Sequence, residues 1–404
     1  MLKRLLSAIS QSRNQRYLRP PMKNFRFSLL SFTALIAVLL IVFVSGCETT
    51  EKVLKSTDLQ YKKTKATYWY NKKEYFKCIP VLEELIGLMK GRESTEEFYY
   101  MYCNANYMQG DYMISAYHFK NFYDLYPNGA WAEECLYMQA KSYQMLSPKP
   151  DLDQTYTYKA LDAYQFFFSM FPDSKYLNES NAAVSKLRKK LEKKALNAAE
   201  LYYKTQNYKA AAASYESILV NFPDIEEVEK VSYMVVKSRY KYAQNSIYSK
   251  KAERFNNVIT SFNEFKYKFA ASKYLEDARK NEQQSHFLAV QAAYDWAEIA
   301  PLEDRERCFN IFFNEAKVQL PLLADKNEIE TVNHWVEKGH FLVVKNNFLI
   351  SEEKKSKEKL PWLEQTVKTY YTFVDRFPQS RFGKEAERIF NNSNELIKKL
   401  KSNG

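Results

Sequence analysis

The side chains most able to do chemistry are four histidines, His118, His286, His334 and His340, and five cysteines, Cys47, Cys78, Cys103, Cys135 and Cys308. Imidazole and thiolate are the common ligands of zinc, but a zinc site needs three or four of them converging at characteristic spacings. Only His334 and His340 are close in sequence, with Glu337 between them. Six residues apart, they do not share a helix face, so both are expected to be satisfied surface side chains. No glycine-rich phosphate loop is present. The acidic pairs Glu83-Glu84 and Glu133-Glu134 diverge on a helix and read as solvated faces, not acid/base dyads. The expectation is a protein that is not an enzyme and has no catalytic residue, metal or cofactor.

The remaining chemistry is covalent and sits at Cys47. Phe27 to Val44 is an apolar run without a charged residue behind Lys23 and Arg26, and it ends on Val44-Ser45-Gly46-Cys47. Those are the three parts of an export signal. A run of roughly 18 apolar residues also suffices for a membrane-spanning helix, which is the competing reading. Small residues directly before a cysteine resemble the lipobox of bacterial lipoproteins. That resemblance implies S-diacylglycerol and N-acyl groups on Cys47 after removal of residues 1–46. Each buried methylene contributes about 0.8 kcal/mol, so two or three chains anchor firmly where one does not. Met22 opens an ordinary signal by itself, so the true start is left open between Met1 and Met22.

The signal also explains most of the charge. Its seven basic residues, with no acid among them, account for seven of the +12, leaving residues 47–404 at +5 with charges interspersed along the chain. A nucleic-acid partner is not expected, because binding a phosphate backbone needs clustered basic residues.

Eight glycines and twelve prolines against 32 tyrosines and 27 phenylalanines leave few turns and many apolar anchors, which excludes a mainly β fold. Aromatic-proline endings recur at Tyr126-Pro127, Phe171-Pro172, Phe222-Pro223 and Phe377-Pro378, each closing an amphipathic segment. The clearest unit, Ala195 to Pro223, resembles a tetratricopeptide repeat (TPR). Ala199 and Ala211 are read as small holes, and Tyr202 and Tyr215 as the knobs that fill them. In the same register Tyr75, Cys78 and Leu82 belong to a first unit and Tyr112 and Phe119 to a second. Cys78 and Cys103 fall at small packing positions, and whether they form a disulfide in an oxidising compartment stays open.

The fold class is therefore all-α, a TPR-like antiparallel helix-pair solenoid. Its divisions are a signal at 1–46, a lipidated linker at 47–57, five repeats at 58–288 and a helical extension at 289–404. Helix pairs are expected to start near Leu59, Glu96, Trp131, Leu177 and Val228. Val235 to Ile247 aligns without a gap on Val336 to Phe348, and Ala195 to Leu201 echoes Ala289 to Asp295, so the extension reads as a duplication of the last two repeats. Lys354 to Lys359 reads as a loop within it.

Two stretches depart from a simple repeat: the loop Ser147-Pro148-Lys149-Pro150-Asp151 and the long helix from Leu177 to Thr205. With the lipid signal, the five-repeat layout, the Gly110-Asp111-Tyr112 and Asn207-Tyr208-Lys209 turns and the Ala243-Gln244-Asn245 segment, they give residues 47–284 a resemblance to the BamD family. The resemblance implies a lipoprotein of the outer-membrane β-barrel assembly machinery, lipid-anchored on the periplasmic face. Its implied partners are the POTRA domains of a BamA-like barrel protein and unfolded outer-membrane proteins. The competing class is a periplasmic TPR lipoprotein that coordinates peptidoglycan or Tol-system factors, or binds glycan at an outer-membrane transporter.

TPR geometry puts the first helix of each pair along the concave groove. In this register the groove residues are Lys63, Thr67 and Tyr70, then Tyr100, Asn104 and Tyr107, then Tyr137, Lys141 and Gln144. Tyrosine combines an apolar face with a hydroxyl at low entropic cost, so the trough suits an extended peptide. Inter-repeat packing is the alternative role for the same rings.

Overall fold

The structure, a computed structural model, describes residues 49–92 and 94–402. The expected signal at 1–46 and the expected acylation site Cys47 lie outside them. The described residues form sixteen α-helices, one 3-10 turn and no strand. They divide into two compact units, Met1–Gln139 and Ala140–Gly404, each described by itself.

In the first unit, α1 (Thr50–Lys55) precedes the pairs α2/α3 (Leu59–Asn71, Tyr75–Leu88) and α4/α5 (Thr95–Gln109, Tyr112–Leu125), and the division falls within the next helix, α6 (Ala132–Leu146), after Gln139. In the second come α7 (Thr155–Met170), α8/α9 (Leu177–Lys204, Tyr208–Asn221) and α10/α11 (Val228–Gln244, Tyr248–Lys268). These are followed by α12/α13 (Leu275–Ile299, Leu302–Gln319), α14/α15 (Lys326–Glu353, Ser356–Arg376) and the closing α16 (Gly383–Ser402). The expected pair starts at Leu59, Leu177 and Val228 match these bounds, and those at Glu96 and Trp131 are one residue off.

Two local rules generate this layout. Within a pair the connection is two or three residues long, except for the eight between α6 and α7, and several of these turns hold one residue in the left-handed region. Gly110 supplies φ 93 there, and Lys73 and Gln206 adopt φ 60 and 62 despite their side chains. Between pairs the connection is always six residues. In five of the seven it opens on an aromatic residue at φ near −130°, whose amide donates back to the carbonyl four residues earlier at 2.8–2.9 Å. That residue is Tyr126, Phe171, Phe222, Phe269 or Phe377. Its carbonyl accepts from the fourth connector residue, whose own carbonyl accepts from the first residue of the next helix. In four of them the terminal ring also packs on an aromatic one turn earlier, with centroids 5.3–6.1 Å apart, as in Phe265–Phe269 and Phe373–Phe377.

Small-against-large packing holds for Ala199, Ala211 and Tyr215, all buried, but not for Tyr202, which is 41% exposed. The neighbouring Tyr203 instead packs inward. Cys78, Cys103, Cys135 and Cys308 are buried free thiols. Three other expectations are corrected. The stretch at 47–57 is not simply a linker: α1 buries Val53, and the almost fully buried Lys62 donates to Leu54 O at 2.9 Å and Glu84 at 2.6 Å, fixing α1 to the first pair. The loop at 354–359 shrinks to Lys354–Lys355, because α15 begins at Ser356. A division at 288/289 falls inside α12, where buried His286 bonds both Glu282 and Gln319 of α13.

The register of the repeated C-terminal contacts also differs from the ungapped sequence alignment, which implied an offset of 101. The contacts recur 108 residues apart. Tyr233 stacks on Tyr274 at 4.8 Å and Phe341 on Phe382 at 4.9 Å. Ser272 donates to Glu229 and Ser380 to Glu337. Val236 and Val344, Ala278 and Ala386, and Ser285 and Ser393 are each fully buried. The error is seven residues, two helical turns, which returns a side chain to within about 20° of the same face.

His340 is likewise not a surface side chain. It lies flat on Phe313, with centroids 3.9 Å apart, and its Nε2 has no partner. The helices approach closely here: a Cβ on Gly339 would come within 3.0 Å of the Phe313 ring.

Two outcomes follow. Phe373→Ala, which empties a fully buried site, should cost about 3–5 kcal/mol. In a repeat fold the loss appears locally, as faster hydrogen exchange of α14–α16 with α2–α5 unchanged. Burial, and secondarily Arg376, holds the His340 pKa down near 4. An unfolded histidine titrates near about 6.5, so this contribution to stability is complete above that pH and is lost as pH falls through 4. Thermal melts of wild type and His340→Phe should converge at neutral pH and separate between pH 6 and 4, the wild type falling further.

Candidate protein-binding faces

The nine expected groove residues fall in two sets. In the first unit, Lys63, Thr67 and Tyr70 of α2 and Tyr100, Asn104 and Tyr107 of α4 are all half-buried and lie at matching i, i+4, i+7 positions of their helices. A polar chain crosses them. Asn104 Nδ2 donates to Tyr70 Oη at 3.0 Å and to Tyr100 Oη at 3.4 Å, and Tyr100 donates to Glu134 at 2.8 Å. The Tyr100 ring stacks on Trp131 at 5.2 Å. Burial, then Tyr75, pushes the Tyr70 hydroxyl up to about 12. Burial, followed by the Glu134 bond, raises that of Tyr100 further. Both rings therefore stay neutral donors and acceptors, and both spend part of their capacity joining repeats. Lys63 reaches Ser94 at 3.4 Å and lies over the Phe98 ring.

Tyr137 is only 3% exposed and offers no groove surface. In the second unit, Lys141 pairs with Glu179 at 3.0 Å, and Gln144 accepts from Tyr164 at 2.5 Å.

The long connection from Ser147 to Gln154 is rigidly held, and the extra turns of α8 are what hold it. Lys190 donates to the carbonyl and hydroxyl of Ser147, Lys194 to the carbonyl of Leu152, and Asn197 to Asp151. From within, buried Gln154 donates to the carbonyls of Lys149 and Leu152 at 2.8 and 2.9 Å. The loop and the long helix, two separate irregularities in the sequence, are one device that keeps Leu152 exposed at its tip.

Sequence reasoning missed a second cleft, of about 380 Å³, between α8 and α10. Its floor is apolar, with Leu196, Tyr203, Tyr215, Val231 and Met234, and Lys193, Lys204, Lys230 and Lys237 stand along it with Glu200 and Glu227. The available signal was a lysine on the groove side of each helix at i, i+7 or i, i+11, masked by the many lysines elsewhere. Among the described residues no group of three His, Cys, Asp or Glu side chains could hold a metal ion, and no helix is long and apolar enough to cross a membrane.

A family model described as YfiO, outer membrane lipoprotein, matches residues 56–239 and again 193–289. The putative outer membrane protein assembly factor BamD of Aquifex aeolicus is 25% identical over 174 residues, 43% of this chain and 55% of that protein. The outer membrane protein assembly factor BamD of Rickettsia prowazekii is 23% identical over 168 residues, 42% of this chain and 67% of that protein. The chain thus spans little more than half the length of the first relative. Among solved structures, the TPR2AB domain of yeast Sti1 in its pHSP90 complex aligns at 12% identity over 70% of this chain and 98% of its own, with a TM-score of 0.28. A tetratricopeptide repeat protein from Parabacteroides merdae aligns at 12% identity over 85% and 98%, with a TM-score of 0.24.

Proposed function

The chain belongs to the YfiO family of outer membrane lipoproteins, and from that membership we propose that it is a non-catalytic scaffold of the β-barrel assembly machinery. In this reading Cys47 carries the acyl chains, the helical body faces the periplasm, and no cofactor is required. The partners are the POTRA domains of a BamA-like barrel protein and unfolded outer-membrane proteins. The observation that carries the substrate half is the face shared by α2 and α4. It offers half-buried tyrosine rings and a cation, Lys63, on a surface whose polar chain is already fixed. A trough that does not reorganise on binding loses little entropy when it receives an extended segment. Such a segment gains ring contacts along its length and hydrogen bonds at intervals.

Lys63 and Thr67 are better reporters of this face than Tyr100, whose ring and hydroxyl are engaged within the unit. A photo-reactive residue at either should crosslink nascent barrel proteins several-fold more than one at Tyr117, an exposed position on α5. Equal labelling from Tyr117 would sink the trough as the substrate face. For the anchor, Cys47→Ser should abolish labelling by radioactive palmitate and move the chain from the membrane pellet to the soluble fraction. Retention of the label in that variant disproves acylation at Cys47.

A further inference from the structure

The cleft between α8 and α10 has a counterpart within the same chain, and the two differ in a way that identifies what the first one lacks. Ala195–Leu201 repeats as Ala289–Asp295, 94 residues on, and the offset holds through the next helix. α9 starts at Tyr208 and α13 at Leu302, while the buried Tyr215 and Ile218 correspond to the buried Phe309 and Phe312. α10 corresponds to α14 at the offset of 108 established above. The wall of the cleft on α10 is kept in the later copy: Lys230, Met234 and Lys237 become Lys338, Leu342 and Lys345.

The other positions change together. Glu227 becomes Trp335, whose indole stacks on Tyr294 at 5.2 Å and on Phe287 at 5.5 Å. Those rings occupy the positions of Glu200 and Lys193. Lys204 becomes Glu298, and Lys338 reaches across from α14 to bond it at 2.7 Å. The later cleft is thus closed by an aromatic ring and pinned by a carboxylate. In the earlier one, Lys230 pairs with Glu227, the residue that caps the start of its own helix, and Lys204 with Glu200 of its own helix. These are exposed pairs that compete weakly with an incoming anion. The apolar floor stays open beneath a lining that carries two more lysines than glutamates.

We propose that the cleft between α8 and α10 is a docking site for a protein segment that presents an aromatic side chain beside a carboxylate. The ring lies on Leu196 and Met234, next to the positions of Lys193 and Glu200 at which the later copy stacks Trp335 on Phe287 and Tyr294, and the carboxylate takes Lys204 and Lys230, as Glu298 takes Lys338. The later copy supplies in the same chain what the earlier one takes from a partner. This site is separate from the α2/α4 trough, and its test needs no membrane component, so its failure would leave the assembly reading standing.

The test uses the purified chain from residue 48 to 404 and a fluorescein-labelled peptide, Gly-Ser-Glu-Trp-Glu-Ser-Gly, followed by fluorescence anisotropy. Saturable binding is expected. It should weaken at least tenfold when the peptide's Trp is replaced by Ala, and at least tenfold when both of its Glu are replaced by Gln. Lys204→Glu, at an exposed side chain, should weaken it similarly. The pair Glu227→Trp with Lys204→Glu, which brings in the counterparts of Trp335 and Glu298, should abolish it while the helical circular dichroism is unchanged. Lys209→Glu on α9 is the control and should bind as wild type. Absence of saturable binding overturns the proposal. So does equal binding of the Ala peptide, which would mean charge attraction alone, or undiminished binding by the Lys204→Glu chain.

Discussion

The geometry of each unit depends on how its second helices end. An aromatic residue stops the helix at φ near −130°, keeps its amide bonded to the last turn, and lays its ring against an aromatic one turn earlier. Its carbonyl then fixes the fourth connector residue, and that residue fixes the start of the next helix. At five of the seven connections three backbone bonds, joined at four of them by a ring contact, thus hold a six-residue step that repeats along the chain. Proline after the aromatic residue reinforces the stop, because it biases the preceding residue out of the helical region. It is not essential: at Phe269 the next residue is alanine, and the turn has the same dihedral angles and bonds.

A fixed step also determines what the first helices present. α2 and α4 each bury one face against their neighbours and leave a stripe at i, i+4, i+7 half-covered. On α2 and α4 that stripe carries tyrosines, and their hydroxyls are drawn into inter-repeat bonds through Asn104. Packing and recognition are then not alternatives for Tyr70 and Tyr100. The hydroxyl end serves the stack, which orients the ring for anything laid over it. On α8 and α10 the same stripe carries lysines over an apolar floor. The cleft between them holds about 380 Å³.

The parts of this arrangement legible in sequence were those with a period or a stop signal. Aromatic-proline pairs marked the helix ends, and Ala199 and Ala211 marked close helix approach. The register of the duplication was misread because positions seven residues apart on a helix are nearly equivalent. That near-equivalence hid the offset of 108 behind one of 101. The choice between Tyr202 and Tyr203 as the inward ring turned instead on a single step of about 100°. The Ser147–Gln154 loop and the length of α8 were both visible, but their connection was not. It is made by Lys190, Lys194 and Asn197 across more than forty residues, and lysines give no sequence sign of which carbonyl they will reach.

The two related clefts show how a repeat fold divides stability from binding. Stacking Trp335 between Phe287 and Tyr294 adds two offset aromatic contacts, each contributing about 0.5–1.5 kcal/mol beyond burial, and Lys338–Glu298 ties α14 to α12. In a fold whose stability is a sum of neighbour interfaces, such closure strengthens the repeats beyond α12. Leaving the same positions as Glu227, Lys193, Glu200 and Lys204 forgoes that gain at one interface only, where the neighbouring α8/α9 and α10/α11 cores remain buried. A chain with one such interface closed can hold another open, because the weakness is local and is bordered on both sides by pairs that do not depend on it.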